Sequence, residues 1–396
     1  MLRAGVGLSS NPSAEEAARE AATAALAQAQ VDQADAALVF FTVDHVADHQ
    51  KLVATIKDTT RTDRIVGSSG AGVLTSQGEI EASPGVAVLV LHSDTIKSEP
   101  FLFQPLRERD EEIGIELARK TSRGTGEQSL LVLLPDTYNG QPNRLFQGIE
   151  EEAGFLPIVG AGCSESGTHG KTFQLCGDRV TTNAVAGLAL SGSFDTSIGI
   201  TQGCQPVTEP MTITKAQGNL IFEIDNRPAF EMFAKVIKAP LLQDLRRALA
   251  FVFVGLPSDA ENNSVAPGEY LVRNIVGLDP QKGILAVGEE VFEGERMVFT
   301  LRDAQRARED LNQMLQRQLT SLSGKRPQFG FYFNCCARGT SLYGIPGIDT
   351  AYISRSIGDL PLIGFFGNFE LGPLGGRNHL LAYTGVLALI TEKLQG

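Results

Sequence analysis

Arg338 and Glu370 carry opposite charges on two loops of one stretch of chain, and together they could grip a zwitterion. A guanidinium takes a carboxylate in two parallel hydrogen bonds, and Glu370 would take an ammonium. A small amino acid is the ligand that this pair would suit. The alternative at the same residues is a structural ion pair of Arg338 with Glu370 or another acid. Just ahead, Cys335 and Cys336 are adjacent, so on an extended backbone one side chain faces the core and the other the loop side. Arg338 beside them could lower a thiol pKa and make a nucleophile, or the thiols are simply small buried groups. Cys163, in a Gly-rich loop, poses the same choice. His45 and His49 stand four apart ahead of Leu52, Val53 and Ile56. On a helix that spacing could hold a metal or offer an axial haem ligand, or it marks a solvated helix start. No Cys or His cluster completes a tetrahedral set, so no metal site is expected. Gly170-Lys171-Thr172 echoes the end of a phosphate-binding loop, but Glu165 stands where the leading Gly belongs. Residues 173–176 also read as a strand instead of the helix that such a loop needs.

The elements that must position these residues recur three times. An apolar run ends in Gly, a Gly-rich loop follows, and another apolar run comes after it. The copies are Ile65-Val66-Gly67 leading to residues 86–91, Ile158-Val159-Gly160 leading to 184–190, and Leu362-Ile363-Gly364 leading to 383–389. A further apolar run precedes each copy, at 37–41, 130–134 and 329–333; Phe41 to Val66, Leu134 to Val159 and Phe333 to Ile363 lie 25, 25 and 30 positions apart, room for a helix and two loops. Ahead of each of these stands a predicted helix. Ser13 and Glu16 form a capping box for the first, the second covers 111–120 with Gly124 placed to end it, and the third carries an apolar stripe through Leu311, Leu315 and Leu322. Each unit therefore reads α-β-α-β-β, over residues 13–93, 109–192 and 302–392. Gly67, Gly160 and Gly364 end strands on this reading, where Gly allows a turn or the close approach of a ligand. Ser68 and Ser69 follow Gly67, Gly162 and Cys163 follow Gly160, and Asn368 follows Gly364, so all are expected around a shared pocket.

The order Cys335-Cys336-Ala337-Arg338-Gly339, then Gly364-Phe365-Phe366-Gly367-Asn368-Phe369-Glu370 to Pro373, then His379, resembles the C-terminal part of the FIST family. Gly67 to Gly72 with Glu79-Ile80-Glu81, and Gly160 to Ser164, resemble its N-terminal part. The resemblance covers about residues 30–380. The resemblance implies a proposed small-ligand sensory domain, with amino acids suggested as the ligands and a nitric-oxide-sensing branch associated with haem. It also makes His379, taken as the start of the last strand, a site candidate beside Glu370. Sensory members usually carry a fused output domain, and none is read here, which suggests a stand-alone binder.

Composition bounds the rest. With 46 acidic against 34 basic residues and a net charge of −12, nucleic-acid binding through phosphate neutralisation is disfavoured. No apolar stretch reaches the roughly 18 residues that span a bilayer, and the start lacks a signal peptide's apolar core. Five Cys without a CxxC pair do not form a disulfide framework, so the cytoplasm is the expected compartment. The expected fold is α/β, with two halves built from three related α-β-α-β-β units with mixed sheets. Residues 1–195 hold two units, 196–300 form a β-rich connecting segment, and 301–396 hold the third, with the FIST C-like region able to begin near 219. Within the segment, strands are expected at 270–276, 284–291 and 296–301, a helix at 228–238 and a loop at 256–268. The expected function is binding of a small polar ligand in the cleft between the halves, with closure on the ligand and a possible signalling protein partner. No cofactor is expected. The alternatives are an enzyme acting through Cys335, Cys336 or His379, and haem-dependent nitric oxide sensing.

Overall fold

The computed structural model describes residues 1–121, 128–237, 243–259 and 261–393. Gly124 as a helix terminator, Lys238 as a helix end and Ala260 within the predicted loop lie outside the described residues. The first stretch runs β1 (Leu2–Ser9), a helix Ala14–Ala29, β2 (Ala36–Thr42), a 3-10 turn Val43–Asp48, a helix His49–Thr60, β3 (Ile65–Gly70), β4 (Gly72–Thr75), β5 (Gly78–Glu81) and β6 (Val86–Ser93). The second runs β7 (Ile96–Phe103), a helix Asp110–Lys120, β8 (Gln128–Pro135), a helix Pro142–Ala153, β9 (Ile158–Ala161), β10 (Gln174–Cys176), β11 (Arg179–Thr181) and β12 (Val185–Gly192). After β13 (Phe194–Gln202) come β14 (Cys204–Pro206), β15 (Met211–Gln217), β16 (Leu220–Ile224), β17 (Arg227–Pro228), helices Ala229–Val236 and Leu245–Ala248, β18 (Val252–Pro257), β19 (Tyr270–Asp279), β20 (Ile284–Val287) and β21 (Arg296–Arg302). The last stretch holds a helix Ala304–Leu322, β22 (Phe329–Cys335), helices Gly339–Tyr343 and Ile348–Ile357, β23 (Leu362–Gly367), β24 (Glu370–Leu374), β25 (Arg377–Leu381) and β26 (Thr384–Glu392).

By its contacts the chain divides into two units. Met1–Ile200, Leu311–Leu380 and the chain from Thr384 onward form one, and Thr201–Asp310 with Leu381–Tyr383 the other. Both ends of the sequence thus build the first unit. It contains three six-stranded mixed sheets with one strand order: β1-β6-β2-β3-β10-β11, β7-β12-β8-β9-β24-β25 and β13-β26-β22-β23-β4-β5. In each, the pair that brackets a helix is parallel (β2–β3, β8–β9, β22–β23) and a borrowed hairpin adds antiparallel to its second strand. The hairpins pass round a ring: the first stretch lends β4-β5 to the third sheet, the third lends β24-β25 to the second, and the second lends β10-β11 to the first. Each unit therefore adds an edge strand and a travelling hairpin to the α-β-α-β-β reading.

The apolar runs explain the sheets. β2, β6 and β12 are almost wholly buried, and Ala17, Ala21 and Ala25 of the first helix pack against Val39, Val88 and Val90. Alanine keeps that helix close to the sheet, and its start is capped as predicted, with Ser13 accepting from the Glu16 backbone N–H. Gly67 and Gly364 do not end strands, since β3 continues to Gly70 and β23 to Gly367. Their need for Gly is contact between strands. A Cβ at Gly67 would lie 1.7 Å from Val39 O, at Gly364 1.7 Å from Tyr332 O, and at Gly160 2.0 Å from Leu133 O.

The second unit is a closed, antiparallel six-stranded barrel, β21-β15-β16-β20-β19-β18, sealed by β18 on β21. Ile213, Ile224, Phe233, Leu285, Met297 and Phe299 fill it. Strands β14 and β17, of three and two residues, are too short to show as apolar runs, and Leu256 and Pro257, read as loop, close β18 instead.

Candidate functional site

The loops that leave the three parallel pairs meet one another. Ser69 Oγ donates to Ser164 O at 2.9 Å, Ala71 N donates to Ser164 Oγ at 2.8 Å, and Ser164 Oγ donates to Phe366 O. Ser164 N reaches Ser69 O at 3.2 Å, and Asn368 N reaches Gly162 O at 3.1 Å. One segment from each stretch therefore contributes to a single hydrogen-bonded junction. Gly162 and Gly367 let it close: a Cβ on Gly162 would sit 2.5 Å from the Phe369 ring, and one on Gly367 would sit 2.5 Å from Ala161 Cβ.

Over this junction opens a cavity of about 360 Å³, lined by Ala71, Thr137, Tyr138, Cys163, Ser164, Glu165, Ser166, Gly167, Thr172, Cys336 and Asn368. Glu165 is the ionised group in its wall. Its Oε1 accepts from Tyr138 OH at 2.8 Å and Gly170 N at 3.4 Å, and its Oε2 from Thr168 N at 2.8 Å and His169 N at 2.9 Å. Burial alone would raise its pKa, yet the donors from His169, Tyr138, Thr168 and Gly170 hold it below the ordinary value. The segment that echoed a phosphate loop is thus wrapped around the protein's own carboxylate. Beneath the wall Asp136, 1% exposed, accepts from Tyr138 N at 2.9 Å and Asn183 N at 2.7 Å.

Of the residues singled out in the sequence, Cys163 and Asn368 line this cavity and Ser69 and Gly162 belong to the junction beneath it. Gly67, Ser68, Gly160 and Gly364 lie fully buried inside strands. The Cys335-Cys336 pair splits as its adjacency requires: Cys335 is buried and Cys336 exposed, and it is Cys336 that faces the cavity. Burial pushes the Cys163 thiol up to about 12, Gln174 and Ser68 beside it notwithstanding, so it is no poised nucleophile. Tyr138, Glu165 and Ser166 were missed. They follow a strand end and a Gly-rich loop, and the signal that could have found them was the density of hydroxyls around Glu165.

Arg338 and Glu370 do not form the expected zwitterion grip. Arg338 is 0% exposed and pairs bidentately with Asp349, Nε to Oδ2 at 3.0 Å and Nη2 to Oδ1 at 3.1 Å. Tyr332 OH and Tyr343 OH each donate to Asp349 at 2.8 Å, and Asn334 Nδ2 at 3.1 Å. Burial would raise the Asp349 pKa, but Arg338 and these donors keep it below the usual value. Glu370 Oε2 instead accepts from Thr384 N at 3.1 Å and Oγ1 at 2.7 Å, and burial beside the Cys335 thiol pushes Glu370 well above the carboxylate range. Sealed in the core and bonded to Thr384, Glu370 offers no open face to an ammonium. The knot is buttressed by Glu79 and Glu81 of the borrowed β5. Glu81 accepts from Thr340 N at 3.0 Å, and Glu79 from Gly347 N at 2.8 Å, at the starts of the two helices after β22.

His379 lies on β25, not at the start of the last strand, and its Nε2 meets Leu374 O at 3.1 Å across the hairpin. His45 and His49 do not share a helix, because the 3-10 turn ends at Asp48 and the helix begins at His49. His45 is 1% exposed, and burial lowers its pKa against the pull of Asp44 and Asp48. No group of three or more metal-ligating side chains exists among the described residues. No helix there is long and apolar enough to cross a membrane.

Residues 35–227 match the FIST N domain and residues 229–373 the FIST C domain. The chain is 30% identical over 397 residues to an uncharacterized protein of Mycobacterium tuberculosis, covering 99% of this chain and 100% of that one. An uncharacterized protein of Mycobacterium bovis is 28% identical over 397 residues, covering 100% of both. The solved cyanuric acid hydrolase from A. caulinodans aligns over 100% of both chains at 9% identity with a TM-score of 0.38, which carries no argument about this chain.

Proposed function

The chain belongs to the FIST family, and from that premise we propose that it is a small-ligand-binding, sensor-like protein whose site is the cavity over the Ser69–Ser164–Phe366 junction. The observation that carries this reading is the convergence of one loop from each stretch beneath a cavity of about 360 Å³, a size suited to a small polar metabolite. Because the junction is tied by main-chain and hydroxyl bonds, a ligand touching the cavity wall touches all three sheets at once. That coupling is what a sensor needs. A partner protein would read the change, and five cysteines with no disulfide between them favour a reducing compartment such as the cytoplasm. An amino acid held through its carboxylate by Arg338 is not the reading that we favour, since that guanidinium is already spent on Asp349.

The test is a thermal-shift screen of polar metabolites on the full chain and on Ser166→Trp, whose side chain would fill the cavity from its exposed wall. A true ligand raises the melting temperature of the native protein and loses that effect in Ser166→Trp. Ligands that act equally on both proteins would place the site elsewhere.

A further inference from the structure

We infer that the cavity selects a small organic cation, an amine or guanidine, over a carboxylate or phosphate. This rests on the cavity being the ligand site and adds the chemistry that the site accepts. Three independent features point there. First, Glu165 presents its charge in the wall with no Lys or Arg pairing to it among the described residues, although other acidic groups of this chain do find such partners. Its four acceptor positions are filled by neutral donors, which hold the charge without cancelling it. Second, Asp136 sits behind Thr137 and Tyr138 with two backbone donors and no ion pair among the described residues, adding negative potential to the same wall. Third, Tyr138 lines the cavity at 51% exposure and offers an aromatic face, which attracts cations and not anions.

Three hydroxyls of the wall are already committed as donors. Ser164 Oγ gives its proton to Phe366 O, Thr137 Oγ1 to Cys163 O at 2.6 Å, and Tyr138 OH to Glu165. What these three groups leave for a ligand is oxygen lone pairs. An anion entering the cavity would meet the like charge of Glu165. An ammonium or guanidinium would meet both an opposite charge and acceptors for its protons.

The test is calorimetric titration of the full chain with putrescine and with succinate, a dication and a dianion of matched length, at low and at physiological ionic strength. Putrescine is expected to bind and to weaken with salt, and succinate is expected to give no heat. Asn368→Lys places a cation on the exposed rim and is expected to weaken putrescine about tenfold, as one unfavourable charge contact does. Glu165→Gln is expected to weaken it at least as much, and Ser166→Trp to abolish it. Succinate binding that Ser166→Trp abolishes would overturn the cationic preference while leaving the cavity as the site. Putrescine binding that survives in Ser166→Trp would overturn the site itself. Absence of heat with putrescine would overturn the cationic preference alone, and the metabolite screen would then judge the cavity.

Discussion

In the Arg338 knot four polar side chains, Tyr332, Asn334, Arg338 and Tyr343, turn inward on one carboxylate, Asp349, and all are buried. Around the cavity the polar groups face the other way, with Glu165, Tyr138 and Asn368 in the wall and Tyr138 and Asn368 open to solvent. Both regions gather charge where Gly-rich chain meets a strand end. Only the second leaves its charge without a counter-ion. A motif rich in ionisable residues is thus as well explained by holding a fold together as by holding a ligand, and what separates the two is whether the charge already has a partner.

Breaking the knot should show the largest effect on stability. Asp349→Ala or Arg338→Ala leaves an unpaired buried charge, and a loss of about 3–5 kcal/mol is expected from urea denaturation. An Arg338→Met, Asp349→Leu double variant should recover part of that loss, and failure to recover any would mean that the pair does more than neutralise itself. Gly364→Ala comes next, because its Cβ would meet the Tyr332 carbonyl at 1.7 Å; a loss of at least about 1–3 kcal/mol is expected in the same measurement. An unchanged midpoint would show that the β22–β23 pair can part at little cost. Glu79→Ala should cost about 1 kcal/mol through the start of the helix Ile348–Ile357. Glu79→Gln should cost less, because burial and the Asp349 charge already oppose ionisation there.

His45 sharpens the comparison through pH. Neither of its ring nitrogens has a hydrogen-bond partner among the described residues, and its folded pKa lies below the ordinary 6.5. The unfolded chain takes up the proton first, so stability is lost as the pH falls below about 6.5, by at most about 1.4 kcal/mol per pH unit. Urea midpoints at neutral and mildly acidic pH should fall further in the wild type than in His45→Leu. Equal falls would mean that the imidazole charges freely in the fold. The smallest effect belongs to the cavity wall: Asn368→Lys is exposed and should move stability by less than about 0.5 kcal/mol while changing what binds.

Much of this was legible in the sequence. The α/β class, the threefold recurrence and the opposed Cys335 and Cys336 follow from periodicity and alternation. The helix over 13–30 follows from Ser13, Glu16 and its alanines. The exchange of hairpins was not legible, because β4-β5, β10-β11 and β24-β25 are short and partly polar, and nothing local says which sheet they join. For the same reason Glu79 and Glu81 could not be seen as caps for helices more than 250 residues away. Arg338 was seen as half of a charged pair, but Asp349 lies on a helix eleven residues on, and the sequence offered Glu370 as readily.

The central claim is that the ligand sits over the Ser69–Ser164–Phe366 junction, and native-state alkylation of the five thiols tests it most directly. Cys336 is exposed on the cavity wall, Cys176 is half-buried outside it, and Cys163, Cys204 and Cys335 are buried. With a ligand from the screen bound, mass spectrometry should show slower labelling of Cys336 and an unchanged rate at Cys176. Labelling of Cys336 at the same rate with and without ligand would contradict the account.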